Sequence, residues 1–233
     1  MKIAALYDVH GNVHALEAVL ADVEREDVDV VLFGGDLAWG PFPRETIDLA
    51  RSLAKAEFIR GNADELSSLE ATSPMFAERR AFVIDRLDDE RIEWLESRPF
   101  SWSADDTLYV HANPRDIETP YFEWSSEETL AEALADVTES RVVSGHVHMQ
   151  SDRAVGDKHW TCAGSVGMAY EDAPGAYWTL LVDGVPEFRR TDYDRERAAA
   201  AVRASGHPLA EELAAENVLR VPSRAAARAL MGG

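Results

Sequence analysis

Five short segments carry metal-capable side chains where predicted strands end: Asp8-Val9-His10, Gly35-Asp36, Gly61-Asn62, His111 and Gly145-His146-Val147-His148. Together they supply two aspartates, one asparagine and four of the chain's seven histidines. Neutral imidazole mixed with carboxylate suits manganese, iron, zinc, cobalt or nickel better than calcium or magnesium. Seven groups are too many for one tetrahedral ion. Two ions roughly 4 Å apart, sharing one carboxylate, accommodate them. Such a pair binds two phosphoryl oxygens and lowers the pKa of a bridging water, whose hydroxide attacks phosphorus in line with the leaving group. In a regular strand His146 and His148 would share a face; a loop lets each reach a different ion.

Other residues near these segments suit contact with substrate. His14 follows His10 by four residues, in the first turn of a predicted helix. Asn113 and Arg115 follow His111 in a loop and are candidates for binding a phosphate oxygen. Trp39, Tyr121, Phe122 and Trp124 lie on loops near the motifs, suited either to stacking a base or aryl ester or to core packing. Asp64 suits a helix cap, with proton donation as its other reading. Cys162 reads as a small buried apolar residue. His159 and His207 lie outside every motif and receive no role.

The elements that must position these groups follow from hydrophobic period. Ile3 to Tyr7, Asp29 to Phe33 and Glu57 to Arg60 read as strands, separated by helical patterns from Val13 to Val23 and from Glu45 to Ala56. Glu65 to Ser97 reads as helical. Strands then dominate: Phe100 to Trp102, Thr107 to His111, Arg141 to Ser144, His159 to Ala163, Ala176 to Val182 and Val185 to Arg190, with a helix from Ser126 to Ala135. Asp194 to Ala204 and Pro208 to Asn217 read as helices, and Val218 to Gly233 shows no clear partner. Alternation in the first half implies a parallel sheet. The fold class expected is α/β, with two packed mixed sheets flanked by helices. Strand ends in such sheets open onto a common crevice, so Asp8 and His148 can meet in space.

A chain of 233 residues, 46% hydrophobic, suits one domain over residues 1–233, with a helical extension over 193–233. The net charge is −20, which disfavours clamping extended nucleic acid. A small phosphate ester remains admissible, because bound cations reverse the sign locally. With one cysteine, no intrachain disulfide and no thiolate metal cluster can form. The first residues lack a signal peptide's apolar core, and no apolar run approaches the roughly 20 residues of a membrane span. A soluble cytoplasmic protein without a membrane partner is expected. Oligomeric state is left open, the Ala-rich tail being a surface on which a second chain could pack.

The ordered set DxH, GD, GN, H and GHxH, across residues 8 to 148, resembles the calcineurin-like metallophosphoesterase superfamily. The resemblance implies a four-layer α/β/β/α sandwich. It implies one divalent ion on Asp8, His10, Asp36 and His148 and a second on Asp36, Asn62, His111 and His146, with Asp36 as the bridge. Asp36, Asn62, His146 and His148 would then take direct part in catalysis. Manganese is the expected ion, with iron, zinc, nickel, cobalt or magnesium as alternatives. Many relatives follow the GN pair with a histidine that protonates the leaving oxygen; here the position is Ala63. A proton donor contributes about 100- to 10,000-fold, so its loss matters most for poor leaving groups. The segment Ala163-Gly164-Ser165-Val166-Gly167, followed by Ala176-Tyr177, resembles the small bacterial phosphodiesterase branch. That points to a phosphodiester substrate. In the family, insertions between the third and fourth motifs cover the crevice, which makes Phe76, Arg79, Arg80 and Phe82 candidates to set substrate access. The alternatives are a phosphomonoesterase acting on a phosphoprotein or nucleotide, a nuclease, and a metal-binding scaffold without catalysis.

Overall fold

In the computed structural model, which describes residues 1–70 and 72–233, the strands form two five-stranded sheets. They are β1 (Lys2–Leu6), β2 (Val30–Phe33), β3 (Ala56–Phe58), β4 (Ser101–Ala104), β5 (Thr107–Val110), β6 (Arg141–Ser144), β7 (Gln150–Val155), β8 (Lys158–Ala163), β9 (Ala176–Val182) and β10 (Val185–Thr191). The first sheet has the order β10-β9-β1-β2-β3, the second β4-β5-β6-β8-β7. Both are mixed. The β1, β2 and β3 strands run parallel, as do β5, β6 and β8, with antiparallel strands at the margins.

Side chains on a strand alternate between faces, and here each face has its own core. Ile3, Ala5, Tyr7, Leu32 and Leu181 of the first sheet meet Tyr109, Val143 and Ala163 of the second. The Tyr7 hydroxyl crosses this layer to donate to the Val143 carbonyl at 3.1 Å. The intervening residues Ala4, Leu6, Val31 and Phe33 face outward onto Leu16, Val19 and Val23 of the helix Val13–Glu26. Val110, Val142 and Trp160 cover the far face of the second sheet, under Leu130 and Ala133 of the helix Glu127–Ala133. The result is helix, sheet, sheet, helix. With both faces covered, the parallel strands read as unbroken apolar runs; each buried large side chain contributes roughly 1.5–3 kcal/mol.

Parallel register is what positions the motifs. Leu6 lies opposite Phe33, so the loops carrying Asp8 and Asp36 leave the sheet side by side. Tyr109 lies opposite Val143, which does the same for His111 and the 145–148 loop. The two sheets pack with all these ends at one rim.

Three expectations change. β7 was not expected as a strand: its sequence QSDRAV has no apolar alternation, because it is a half-buried edge strand paired to β8. The helical stretch from Glu65 to Ser97 resolves into two helices, Pro74–Ile84 and Asp89–Glu96, capped by Ser73 and Asp88. The tail does have a partner. Its helix Arg224–Leu230 is anchored by Arg224, which pairs with Glu171 at 3.0 Å and Glu123 at 2.8 Å and donates to the Gln150 carbonyl at 3.0 Å. Before it, Ala198, Ala199 and Val202 pack with Leu213 and Val218 against Phe42 and Met168. No helix among the described residues is long and apolar enough to cross a membrane.

Candidate metal centre

The loops after β1 and β2 are knitted together by backbone bonds: Asp8 N–H to the Gly35 carbonyl at 3.2 Å, His10 N–H to Asp36 at 2.9 Å and Gly11 N–H to Leu37 at 3.0 Å. The segment after β8 braces them, Val166 and Gly167 donating to Tyr7 and Asp8 and the Ser165 hydroxyl to the Asp8 carbonyl at 2.8 Å. Across the rim, the His146 N–H donates to Asp8 Oδ2 at 2.8 Å, tying the two sheets' loops to one carboxylate.

This knitting bends the chain into an unusual region. Nine non-glycine residues among the described ones have positive φ, and five of them are Asp8, His10, Asp36, His146 and His148, at 47° to 66°. Such conformations cost on the order of 1 kcal/mol each and persist where the surroundings impose them. Two glycines are forced by crowding: a Cβ on Gly35 (φ +93°) would lie 2.5 Å from the Gly61 nitrogen, and one on Gly61 would collide with the Asp36 carboxylate.

The seven motif side chains converge. Ligand atoms of Asp8, His10 and His148 lie within 4.8 Å of one another, as do those of Asp36, His111 and His146. Asn62 Oδ1 is 3.1 Å from His111 Nε2. Asp36 stands between the groups, Oδ1 3.5 Å from His111 Nε2 and Oδ2 3.7 Å from His10 Nε2. Asp8 Oδ1 faces His148 at 3.3 Å and His10 at 3.8 Å, is fully buried, and makes no hydrogen bond.

The tautomers follow from the outer partners, since a carbonyl can only accept. His10 Nδ1 faces the Trp39 carbonyl at 3.3 Å, His148 Nδ1 that of Met168 at 2.7 Å, His111 Nδ1 that of Gly34 at 2.9 Å, and His146 Nε2 that of Glu118 at 2.9 Å. Each ring therefore directs one proton outward and, in its neutral form, turns a lone pair inward. His10 and His148 meet Nε2 to Nε2 at 3.1 Å, and His146 Nδ1 meets His111 Nε2 at 3.3 Å. When both rings of a pair are neutral, two lone pairs face each other at these distances. Lone pairs and carboxylates converging without a donor fit divalent cations, and imidazoles held by carbonyls are the usual outer support of metal ligands.

The electrostatics agree. Burial opposes ionisation of Asp8, but positive charge on the rings, His148 first, outweighs it and holds the carboxyl below its usual range. Burial lowers His148, yet Asp8 outweighs that and raises it, and bound cations would take over this charge. Burial and the neighbouring Asp8 push Asp36 up to about 7. Burial and His148 push His10 down to about 3. Two close carboxylates cannot both ionise without positive charge nearby.

Asp64 is a positioning group. Its carboxylate accepts from the backbone N–H of Asp36 at 2.8 Å, Leu37 at 3.0 Å and Gly61 at 3.0 Å. All three bonds go to backbone, so proton donation to a leaving group does not fit it. Ala63 lines the cleft with a methyl group, and its N–H donates to Asp36 Oδ1 at 2.8 Å.

The three substrate candidates do not join the centre. Arg115 is turned away and pairs with Glu132 at 3.2 Å. Asn113 is buried and organises its own loop, accepting from Arg115 and Asp116 N–H and donating to the Thr119 carbonyl. His14 packs edge-on against Phe42, 5.5 Å between ring centres. Trp39 lines a cavity at the centre, whereas Tyr121 packs on Trp160, and Phe122 and Trp124 stack on each other. Phe76 and Arg79 line that cavity too. Arg80 instead bonds the Leu66 and Ser67 carbonyls, and Phe82 is core. The four carbonyls that orient the histidines, and Tyr170, whose ring lies 5.0 Å from that of His148, escaped sequence reasoning. A carbonyl leaves no residue signature.

Comparison with known proteins gives a consistent picture. The model of the calcineurin-like phosphoesterase superfamily domain matches residues 1–184. A solved metallophosphoesterase from Sphaerobacter thermophilus is 26% identical, covering 92% of this chain and 97% of that one, with a TM-score of 0.76. The hypothetical protein PH1004 from Pyrococcus horikoshii OT3 shares the fold at 18% identity and a TM-score of 0.83, covering 95% and 98%. The uncharacterized protein MJ0912 of Methanocaldococcus jannaschii is 27% identical over 125 residues, a match that spans half of this chain and 51% of that protein.

Proposed function

The chain belongs to the calcineurin-like phosphoesterase superfamily, and from that membership we propose that it hydrolyses small phosphodiesters with two divalent cations, manganese foremost among them. The observation that carries the reading is the convergence itself: four imidazoles, each held from outside by a backbone carbonyl, meet Asn62 and two carboxylates at one rim. Asp8, His10 and His148 would hold one cation and Asn62, His111 and His146 the other, with Asp36 facing both. When bound, such cations supply Lewis acidity toward phosphoryl oxygens and a water that ionises near neutral pH.

The protein's own residues do the rest. The outward carbonyls fix the orientation of each imidazole. Asp64 and the Ala63 N–H hold Asp36 in place. Trp39, Leu69, Phe76 and Met168 wall a cavity of about 160 Å³ that opens on His10, Asp36 and Asn62 and suits an ester substituent. Ala63 offers no proton to the departing oxygen, which favours substrates with a stable leaving anion or a proton of their own.

The test compares bis-4-nitrophenyl phosphate with 4-nitrophenyl phosphate in the presence of Mn²⁺, using wild type and Asp36→Asn. Preference for the diester, with turnover lost by at least 1,000-fold in the variant, is the expected result. A preference for the monoester overturns the substrate reading, and full activity in Asp36→Asn overturns the centre.

A further inference from the structure

The cavity beside the centre holds a cation that the protein leaves without a counter-charge. Arg79, on the helix Pro74–Ile84, lines the same hollow as His10, Asp36 and Asn62. Its Cζ lies 5.2 Å from the centre of the Trp39 ring, which fixes the guanidinium against an aromatic face. Its Nε is buried and makes no hydrogen bond. Among the described residues no carboxylate lies within 4.0 Å of it; Glu212 is felt across a longer distance. Other arginines are held by acceptors of their own. Arg80 is bonded to the Leu66 and Ser67 carbonyls, and Arg91 and Arg203 are paired with Asp48 and Glu211. In a chain of net charge −20, an unpaired and partly desolvated guanidinium at the mouth of an anion-processing site is costly unless a ligand completes it.

The rest of the hollow says what else that ligand carries. Leu69, Phe76, Met168 and Ala63 give the hollow apolar walls beside Asn62 and Arg79. Resting on the phosphodiesterase reading above, we propose that Arg79 selects substrates whose leaving group bears a second anionic group, joined by a flat apolar body to the scissile phosphate. The phosphate meets the metal-binding residues, the body lies against Phe76, Leu69 and Met168, and the distal anion takes the fork of Arg79. This makes Arg79 a specificity-determining residue of the hollow rather than a participant in the chemistry.

The test uses three aryl phenyl phosphodiesters whose leaving phenol carries a carboxylate, a phosphonate or a neutral carboxamide. They are assayed with Mn²⁺ and wild type, Arg79→Gln and Arg79→Lys. Arg79→Gln should lose 10- to 100-fold in kcat/KM on both anionic esters, through KM, and change less than threefold on the carboxamide. Arg79→Lys should recover part of the loss. Calorimetry with benzylphosphonate and 4-carboxybenzylphosphonate gives a readout free of turnover: Arg79→Gln should weaken the second at least tenfold and leave the first within threefold. Equal losses on all ligands, or no loss on any, overturn the proposal. If wild type hydrolyses none of the esters, the phosphodiesterase reading fails instead, and the calorimetry alone decides the role of Arg79.

Discussion

The carboxylate of Asp64 accepts the backbone N–H of Asp36 at 2.8 Å, so one buried acid holds another in place. Because Asp64 also receives the N–H groups of Leu37 and Gly61, it joins the second and third motifs of the centre. Replacing it by alanine leaves three buried donors without a partner. Asp64→Ala should lower stability by about 2–4 kcal/mol and weaken metal binding by at least tenfold, whereas Asp64→Asn, which keeps one acceptor oxygen, should lose less of both. Thermal unfolding and metal titration measure the two effects. An Asp64→Ala protein with wild-type metal affinity would contradict the positioning role.

Cation removal should destabilise the fold. In each of two groups of three residues the ligand atoms lie within 4.8 Å of one another, and binding at 1,000 times the dissociation constant adds about 4 kcal/mol. In a chain of this size that corresponds to a rise in Tm of about 10 °C. Mn²⁺ should raise Tm by that order in metal-stripped protein and a chelator should reverse it. His146→Ala, which spares Asp8, His10 and His148, should retain roughly half the rise. A Tm indifferent to Mn²⁺ speaks against the centre.

Ala63→His should restore a proton donor on the rim of the cleft. Its backbone N–H bond to Asp36 does not depend on the side chain, so Asp36 stays oriented. The ratio of alkyl to nitrophenyl ester hydrolysis is expected to rise by about tenfold or more, because the poorer leaving group gains most from protonation. The two rates measured side by side decide it; an unchanged ratio means the leaving oxygen lies elsewhere.

His207 sets a pH dependence away from the centre. It is buried, lies edge-on to Phe82 with ring centres 4.8 Å apart, and its Nδ1 accepts the Leu209 N–H at 3.1 Å. Burial, with Arg79 and Arg86 nearby, pushes it down from 6.5 to about 4. Between those values the unfolded chain binds the proton and the folded one does not, so stability falls as pH drops through that window. The contribution is on the order of 3 kcal/mol. His207→Asn keeps an acceptor without the titration. Its unfolding free energy, followed by denaturant between pH 7 and 4, should slope less steeply than wild type; parallel slopes exclude His207 as the source.

The sequence by itself determined the kinds of group available and their place at strand ends. Motifs such as Asp8-Val9-His10 and Gly145-His146-Val147-His148 are local, and so is the apolar period that marks β1, β2, β5 and β6 as strands. That Ala63 stands where many relatives carry a histidine was legible too, once the resemblance had marked the position. What tertiary structure alone decided was orientation. That Arg115 turns to Glu132, that Asp64 is spent on the backbone of Asp36 and Leu37 as well as of nearby Gly61, and that Arg79 lies over Trp39 in the cleft all depend on partners distant in the chain. The tautomers of the four histidines depend on carbonyls that carry no residue identity. An edge strand such as β7 escapes because its pairing, rather than its apolar period, makes it a strand. Composition and spacing act within a few residues, while the direction of a side chain is set by whatever the fold packs against it.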